Sequence, residues 1–536
     1  VAMLAIVTAL LLGEYFAGVV IVLMQSGGEA LESYAMRRAS SSLEQLLARA
    51  PRIARRMAGD SFEEIPVDRV AVGDRLLVRP GDLVPVDGEV VAGHGTVDAS
   101  ALTGEPEPVR AAPGVALLSG SVNLEGALTV VATRVSADSQ YQQIVRLVEG
   151  ARQDKPPIQR LADRFAVWFT PITLAMCGVA WLTTGRPDAM LAVLVVATPC
   201  PLILAVPVGV IAAISRAARA GIIVKSGAAI EQLGRIRVVV FDKTGTLTVG
   251  HPELAGIDAT NGVAPDELLA LAAGVEQLSS HHLARAVADA GRRAGAPLRA
   301  AEGFREVAGR GVVGRVAGRE LWIGTPAFLQ ECGVVVAPGA AEQTTSYVAI
   351  DGRLVGRLAF ADRLRPQVPA LMQRLAALGV TDTVMLTGDH ARSAATIATQ
   401  AGIRTVRADL LPGDKVVAVG ELKRRHGSVV MVGDGINDAP ALAAATVGIA
   451  LGAKGAAVSA EAADVVLLVD DVARVADAMA ISQRMRRIVL QSVIVGLSVS
   501  FALMVIASRG LIAPAAGALL QEALDAGVIL NALRAR

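Results

Sequence analysis

Long apolar runs alternate with two large polar segments along this chain of 536 residues. A helix needs about 20 apolar residues to cross the hydrocarbon of a bilayer. The internal runs that approach this length are Phe165–Gly185, Ala189–Ser215, Ile488–Ser508 and Gly510–Leu533. A further apolar region from Val1 to about Gly28, interrupted by Glu14, predicts the remainder of one helix followed by a second. The pattern therefore predicts about six membrane helices, grouped as three hairpins.

The amino-terminal apolar region does not resemble a signal peptide. It lacks a basic start and a small-residue cleavage site, and the chain does not begin with Met. We therefore expect the chain to be truncated at its amino terminus.

Basic residues flank each hairpin on what should be the same side of the membrane. They are Arg37, Arg38 and Arg49 after the first hairpin, Arg216 and Arg219 after the second, and Arg484, Arg486 and Arg487 before the third. Cytoplasmic flanks of membrane helices are enriched in Lys and Arg, so residues 36–160 and 216–487 are expected to be cytoplasmic. The lipid bilayer is thus one partner. A formal net charge of +1 gives no strong attraction to nucleic acid, and the sequence identifies no protein partner.

The two polar segments differ in their predicted secondary structure. Between about Val67 and Val135, short β-branched runs alternate with Gly and Pro, which predicts a small all-β domain. From Arg237 onward, the strands RVVVFD, TVMLTGD and VVMVGDG each end at or near an aspartate and are followed by helical or loop sequence. Ligands bind at the carboxyl ends of strands in an open parallel sheet, so these aspartates could converge in one crevice. A long stretch between the first two strands is predicted to be an inserted domain.

The segment Asp242-Lys243-Thr244-Gly245-Thr246-Leu247-Thr248 follows an apolar strand directly. A carboxylate such as Asp242 can attack a γ-phosphoryl group and hold it as an acyl phosphate if its repulsion with the nucleotide is offset. Lysine, hydroxyl groups and turn amides supply part of that offset. The alternative for such a segment is a strand that ends in a polar loop.

This heptapeptide is the phosphorylation motif of P-type ATPases, and the chain resembles the heavy-metal (type IB) class of that family. Two further motifs occur in the family's order, Thr387-Gly388-Asp389 and the segment from Gly433 to Pro440, GDGINDAP. Lys415 matches the lysine that steadies the phosphoryl group. The resemblance implies ATP as substrate and a Mg²⁺ site at Asp242, Thr244, Asp434 and Asp438, because a divalent ion is needed to bring an anionic nucleotide against carboxylates.

The β-rich segment contains Thr103-Gly104-Glu105, which resembles the family's TGE loop. Hydrolysis of an aspartyl phosphate needs a carboxylate that orients and deprotonates a water molecule. The resemblance implies that Glu105 has this role, and the alternative is an ordinary turn.

The inserted domain is expected to bind the nucleotide. Glu276, His281, Gly309 and Gly311 resemble the nucleotide-binding residues of the heavy-metal class. The family usually has His-Pro where this chain has His281 followed by His282, so the local backbone is expected to be less constrained here. The alternative for such a His pair at a helix start is a solvated cap.

The membrane segments contain residues suited to binding a metal ion. The three cysteines are far apart and give no disulfide framework, so any role of Cys200, in the segment Thr-Pro-Cys-Pro, must be an individual one. Unwound backbone at membrane depth is tolerated where it lines a cavity. In the last run, Gln521, Glu522 and Asp525 place two acids in an apolar helix, and intramembrane carboxylates mark ion pathways by default. Snorkelling acids and an inert cysteine in a kinked helix are the alternatives.

The combination Thr-Pro-Cys with Gln-Glu-x-x-Asp resembles a small subgroup associated with iron and nickel. One thiolate with carboxylate and amide oxygens suits a divalent first-row metal rather than Cu(I), while cobalt, zinc and manganese remain open. The class usually has two additional helices before the first hairpin, and often a soluble metal-binding domain, which accords with the expected truncation at the amino terminus.

The sequence thus predicts a multidomain membrane protein: an α-helical transmembrane bundle, a β-rich actuator domain, and an α/β haloacid-dehalogenase-type phosphorylation domain with an inserted α+β nucleotide-binding domain. The predicted order is a first hairpin (1–35), the actuator domain (36–160), a hairpin with the Thr-Pro-Cys site (161–216), the phosphorylation domain in two parts (217–252 and 358–480) around the nucleotide-binding domain (253–357), and a last hairpin (481–536).

By this resemblance, the protein is expected to be a multi-pass protein of the bacterial plasma membrane that exports a divalent transition metal at the expense of ATP. Two rivals remain. One is a membrane-anchored phosphohydrolase of the same α/β fold, and the other is a non-catalytic metal sensor or scaffold.

Overall fold

A computed structural model of the chain describes residues 2–48, 51–58, 61–99, 108–139, 142, 157–197, 200–279, 281–307, 310–336, 344–434, 438–452 and 462–536. It begins with two helices, α1 (Ala2–Leu11) and α2 (Tyr15–Ala48). The chain turns between them at Gly13, whose φ of +73° suits glycine. The predicted pair of helices is therefore present, and α2 continues well beyond Gly28.

A β-rich domain follows, as the alternating pattern predicted. Its strands are β1 (Ile53–Ala58), β2 (Ser61–Pro66), β3 (Arg75–Val78), β4 (Gly88–Ala92), β5 (Gly95–Asp98), β6 (Val109–Ala111), β7 (Ala116–Leu117), β8 (Val122–Glu125) and β9 (Leu128–Ala132). They form a six-stranded sheet in the order β2-β1-β3-β9-β4-β7 and a three-stranded sheet in the order β6-β5-β8. Side chains such as Leu76, Val90 and Val130 alternate with more exposed ones along their strands and are fully buried in the interior of the domain.

The next membrane segment contains three helices, α3 (Pro157–Thr184), α4 (Pro187–Val196) and α5 (Cys200–Arg219). The single predicted run Ala189–Ser215 is thus divided, because the helix ends just before the Thr-Pro-Cys-Pro segment. Proline lacks a backbone donor and disfavours helical geometry in the residue before it.

The first part of the α/β domain consists of β10 (Ile222–Val224), α6 (Gly227–Leu233) and β11 (Val238–Asp242). Ser226 caps α6, since its Oγ accepts a hydrogen bond from the backbone N–H of Ala229 at 3.0 Å.

The inserted domain is an antiparallel sheet with three helices packed on it. Its elements are β12 (Thr248–Ala259), α7 (Pro265–Glu276), α8 (His282–Arg293), β13 (Glu302–Val307), β14 (Gly311–Val316), β15 (Arg319–Gly324), α9 (Pro326–Glu331), β16 (Thr344–Ile350) and β17 (Arg353–Leu364). The strand order is β12-β17-β16-β15-β14-β13. The pair β12–β17 extends on both sides of the predicted bounds at 253 and 357, so two long strands connect this domain to the α/β domain.

The second part of the α/β domain completes its sheet. It contains α10 (Val368–Ala377), β18 (Asp382–Leu386), α11 (Ala391–Ala401), β19 (Thr405–Arg407), α12 (Pro412–His426), β20 (Val430–Gly433), α13 (Ala439–Ala444), β21 (Val447–Leu451) and β22 (Val465–Leu467). The strand order is β10-β22-β21-β20-β11-β18-β19. The strands β20, β11 and β18 are parallel neighbours, so the three aspartate-bearing strand ends lie at one edge, as predicted.

Two long helices end the chain, α14 (Arg474–Ala507) and α15 (Pro514–Leu533). Among the described residues, α14 and α15 are long and apolar enough to span a membrane, and an 18-residue window in each has a mean hydropathy of 2.3 and 1.2, respectively. Two shorter apolar stretches are Trp168–Thr184, the last part of α3, and Pro187–Val196, which is α4. The helix α14 begins before the predicted start at Ile488, because Val475 and Met479 pack in the core of the α/β domain. The helices α1–α5, α14 and α15 pack against one another.

Candidate active site

The carboxylate of Asp242 lies at the carboxyl end of the central strand β11. The strand is fully buried, and Asp242 itself is only 4% exposed. The Nζ atom of Lys415, near the start of α12, lies 2.6 Å from Asp242 Oδ1 and 2.7 Å from Asp438 Oδ1. Three of the predicted residues therefore form one contiguous charged group, with a lysine between two carboxylates.

The electrostatic environment makes Asp242 an unusually weak acid. Burial, followed by the charges of Asp438 and Asp434, raises its pKa from an ordinary 3.8 to about 7, although Lys415 acts in the opposite direction. Burial alone would lower the pKa of Lys415, but its contacts with Asp242 and Asp438 raise it. The ammonium group is therefore retained, whereas the negative charge on Asp242 is costly.

The next residue, Lys243, points to a second pair of acids. Its Nζ lies 2.9 Å from Asp362 Oδ2 and also forms an ion pair with Asp389. Burial would lower the pKa of Lys243, but hydrogen bonds to Asp389 and Asp362 raise it. The Oγ1 of Thr248 donates to the Lys243 carbonyl at 3.1 Å and thereby closes the loop.

The Thr387-Gly388-Asp389 segment follows the neighbouring strand β18. The backbone N–H of Asp389 donates to Thr387 Oγ1 at 3.0 Å, which fixes the turn. A Cβ atom at Gly388 would lie 3.1 Å from the carbonyl oxygen of Leu410, so the close packing of this turn explains the glycine. The turn places Asp389 against Lys243, within the site.

The predicted Mg²⁺ residues Asp242, Thr244, Asp434 and Asp438 lie around the same loop. Thr244 is exposed at its tip. Gly245 has a φ of +73°, and a Cβ atom there would lie 2.8 Å from Asp434 Oδ2. The Asp434 carboxylate therefore sits directly on the loop. Among the described residues, no group of three His, Cys, Asp or Glu side chains is gathered closely enough to hold a metal alone.

The residues nevertheless fit Mg²⁺ in their chemistry. Carboxylate oxygens are preferred by this hard cation. The carboxylates of Asp434 and Asp438 raise the pKa of Asp242, and a divalent cation beside them would offset that repulsion.

Sequence reasoning did not single out Asp362 and Arg365, which also contact the loop. Arg365 is 6% exposed, and its guanidinium donates to the carbonyl oxygens of Gly245 at 2.9 Å and Thr248 at 3.2 Å. The available signal was a group of charges, ADRLR, at the end of an apolar strand that returns to the α/β domain.

The predicted nucleotide residues Glu276, His281 and Gly311 line one cleft of about 180 Å³ in the inserted domain. Burial raises the pKa of Glu276 to about 7, with a smaller contribution from Glu306. A Cβ atom at Gly311 would meet the ring of Phe328 and lie 2.5 Å from a carbonyl oxygen of β15, so the backbone itself forms the wall.

The side chain of His281 accepts a hydrogen bond from the backbone N–H of Leu283 at 3.3 Å and caps α8. The alternative predicted for this histidine, a helix cap, is thus observed, and the same residue also lines the cleft.

The last helix α15 presents a buried polar pair to the bundle. Gln521 is fully buried and Asp525 is 6% exposed. The Nε2 atom of Gln521 donates to Asp525 Oδ1 at 3.0 Å, and Ser500 Oγ of α14 lies 3.5 Å from Gln521 Oε1. Glu522 is half-buried and lies against Gly27 of α2. The buried face of α15 therefore contains Gln521 and Asp525, and Glu522 is less buried than either of them.

Several predicted residues lie outside the described part of the chain. They are Thr103, Gly104, Glu105 and Gly309. The backbone of Cys200 begins α5, and its side chain is not described.

Comparisons with known proteins agree with this architecture. Residues 48–149 match the P-type ATPase actuator domain, and residues 236–446 match the haloacid dehalogenase-like hydrolase domain. The crystal structure of a zinc-transporting PIB-type ATPase in the E2.Pi state superposes with a TM-score of 0.66 at 33% identity, covering 100% of this chain and 89% of that one.

The chain belongs to the heavy-metal class of P-type ATPases. It is 36% identical to the manganese-exporting P-type ATPase of Mycobacterium bovis over 99% of this chain and 76% of that protein. It is 38% identical to copper-transporting ATPase 2 of Rhizobium meliloti over 97% of this chain and 66% of that protein. The chain thus spans slightly less than two thirds of the length of the Rhizobium relative.

Proposed function

We propose that this P-type ATPase exports a divalent transition-metal cation from the cytoplasm and is phosphorylated on Asp242 by ATP during each cycle. The observation that carries the proposal is the buried contact of Lys415 with both Asp242 and Asp438 at the end of β11. The buried Gln521–Asp525 pair in the last apolar helix supports the transport part of the proposal.

The phosphorylation step follows from the chemistry of the Asp242 carboxylate. One of its oxygens attacks the γ-phosphorus of ATP, a new P–O bond forms, and the bond to the ADP oxygen breaks. Lys415 stabilises the negative charge in this region, and Lys243 keeps Asp362 and Asp389 close to the loop. When bound, Mg²⁺ held by Asp242, Thr244, Asp434 and Asp438 would neutralise charge on the phosphates and carboxylates.

ATP binds, in this proposal, in the cleft of the inserted domain. The cleft is lined by Glu276, His281 and Gly311, with Gly309 as a further predicted contact. The strands β12 and β17 connect this cleft to the loop of Asp242, so domain closure would bring the γ-phosphate to the carboxylate. Hydrolysis of the acyl phosphate is assigned to a water molecule activated by Glu105 in the Thr103-Gly104-Glu105 loop.

The transported metal is assigned to Cys200 together with Gln521, Asp525 and Glu522. The Asp525 carboxylate and the Gln521 amide already face the interior of the bundle, where a polar side chain needs a partner. The break between α4 and α5 at the Thr-Pro-Cys segment would release backbone carbonyls for the same site.

We further propose that iron, nickel or cobalt is the cargo, with zinc as the alternative. The relatives and the similar structure are named for copper, manganese and zinc, and these names do not agree on one metal. A site with one thiolate and several oxygen donors suits a divalent first-row cation, whereas Cu(I) prefers soft sulfur ligands. The Thr-Pro-Cys and Gln-Glu-x-x-Asp segments carry this part of the proposal.

The test is formation of the acyl phosphate from labelled ATP in detergent, with Fe²⁺, Ni²⁺, Co²⁺, Zn²⁺, Mn²⁺ and Cu⁺ added singly. We expect one or two divalent metals to stimulate it, and Asp242→Asn and Cys200→Ala to abolish the stimulated part. Turnover that is indifferent to every metal and to Cys200 would instead support a membrane-anchored phosphohydrolase.

A further inference from the structure

A buried arginine connects the loop of Asp242 to a segment far along the chain. Arg365 follows β17 directly, and its own backbone N–H donates to the carbonyl oxygen of Leu247 at 2.9 Å. Its Nη2 donates to Gly245 at 2.9 Å and its Nε to Thr248 at 3.2 Å. The guanidinium thus holds the loop from its middle to its last residue.

The other edge of the same guanidinium contacts Asp470. Nη1 donates to the Asp470 carbonyl oxygen at 2.9 Å, and Nη2 donates to its Oδ1 at 2.7 Å. Asp470 lies in the short connection between β22 and α14. An arginine has five N–H donors in a rigid plane. Four hydrogen bonds to three residues, Gly245, Thr248 and Asp470, therefore fix the position of that plane.

The helix α14 extends this link toward the membrane. Its first turns carry Val475 and Met479, which pack in the same core as Phe241 of β11. Farther along the helix, Ser500 lies 3.5 Å from Gln521 of the buried polar pair. One continuous helix therefore touches the proposed metal site at one end, and the residue that contacts Arg365 lies just before its other end.

We infer that Arg365 is a positioning residue and that its contact with Asp470 transmits occupancy of the membrane metal site to the loop of Asp242. This inference rests on the proposed function. The Asp470 side chain is 45% exposed, so the ion pair adds little stability by itself. Its effect is geometric, because a displacement of α14 draws the guanidinium and the two loop carbonyls with it. Coupling of this kind is reciprocal between the two sites.

The experiment compares Asp470→Ala with Asp471→Ala in the full chain. The control removes the adjacent acid, whose Oδ1 accepts from the backbone N–H of Ala473 at 2.9 Å. The readout is the ratio of acyl-phosphate formation from ATP with and without the stimulating metal. We expect Asp470→Ala to lower this ratio about tenfold and to leave nucleotide affinity unchanged, and Asp471→Ala to retain the wild-type ratio.

Phosphorylation by inorganic phosphate with Mg²⁺ and no transported metal reports whether each variant keeps a folded site. If Asp470→Ala does not incorporate phosphate, Asp470→Glu is measured in its place. The Glu variant keeps the negative charge but displaces it by one methylene group, so it should also lower the ratio of metal-stimulated to unstimulated acyl-phosphate formation. A wild-type ratio in the folded variant that is used overturns the inference. Absence of metal stimulation in the wild-type protein contradicts the proposed function instead, so the two failures are distinguishable.

Discussion

Replacing Asp242 by Asn should make the Mg²⁺-free protein more stable, although it removes the residue proposed to be phosphorylated. The folded protein holds the Asp242 carboxyl at a pKa of about 7, compared with an ordinary value of 3.8. Ionising this group in the folded state therefore costs at most about 4 kcal/mol. Asn cannot ionise, but it leaves Lys415 with one carboxylate fewer. We expect a net gain of about 2 kcal/mol, or a rise in Tm of roughly 5 °C.

The sign of the pH dependence follows from the direction of the shift. Because the folded pKa lies above the unfolded one, the folded protein binds more protons between about pH 4 and pH 7. The wild-type protein therefore loses stability as pH rises through this window, and the loss is complete above about pH 7. The advantage of Asp242→Asn over the wild type should grow over the same interval and then remain constant.

Thermal unfolding of the full chain in detergent between pH 5 and pH 8, with and without Mg²⁺, measures the difference. Mg²⁺ should stabilise the wild type more than the Asn variant and so reduce the gap. Asp382→Asn, which neutralises an exposed acid at the opposite end of the neighbouring strand β18, should show no such trend. An Asn variant that is less stable than the wild type at pH 8 without Mg²⁺ would refute the electrostatic reasoning.

Three other substitutions test individual contacts. Lys415→Ala leaves two buried carboxylates without their shared cation. We expect it to lower the free energy of unfolding by about 3 kcal/mol and to give no detectable acyl phosphate. The control Lys423→Ala, on the same helix, should still be phosphorylated. Gly245→Ala should raise the Mg²⁺ concentration needed for phosphorylation, because the new Cβ would lie 2.8 Å from a carboxylate oxygen. Gly262→Ala, with a φ of +82° in open space, should leave that requirement unchanged. Gly311→Ala should weaken ATP binding in calorimetry and spare phosphorylation by inorganic phosphate.

The parts of the fold that were predictable are those with a strong local signal. Apolar strands that end in aspartates predicted the adjacent parallel strands β20, β11 and β18, and at their shared edge Asp434 lies against the loop that follows Asp242. The motif lysine Lys415 could be placed only by resemblance, because its contact with Asp242 joins residues 173 positions apart.

Other features depend on tertiary packing and carry little signal in the sequence. The early start of α14 could not be predicted from hydropathy, since its first turns pack in the core of the α/β domain and not in the membrane. Which face of α15 is buried depends on the neighbouring helices. Gln521 and Asp525 are buried against them, whereas Glu522 is only half-buried. Arg365 looked like one charge among several, and only its burial distinguishes it.

The most direct test of metal export is ATP-driven accumulation of Fe²⁺, Ni²⁺ or Co²⁺ in sealed proteoliposomes whose cytoplasmic domains face outward. We predict accumulation by the wild-type protein, and none by Asp242→Asn or without ATP. Sustained ATP hydrolysis with no accumulation of any tested metal would show that the chemistry at Asp242 is not coupled to transport in this chain.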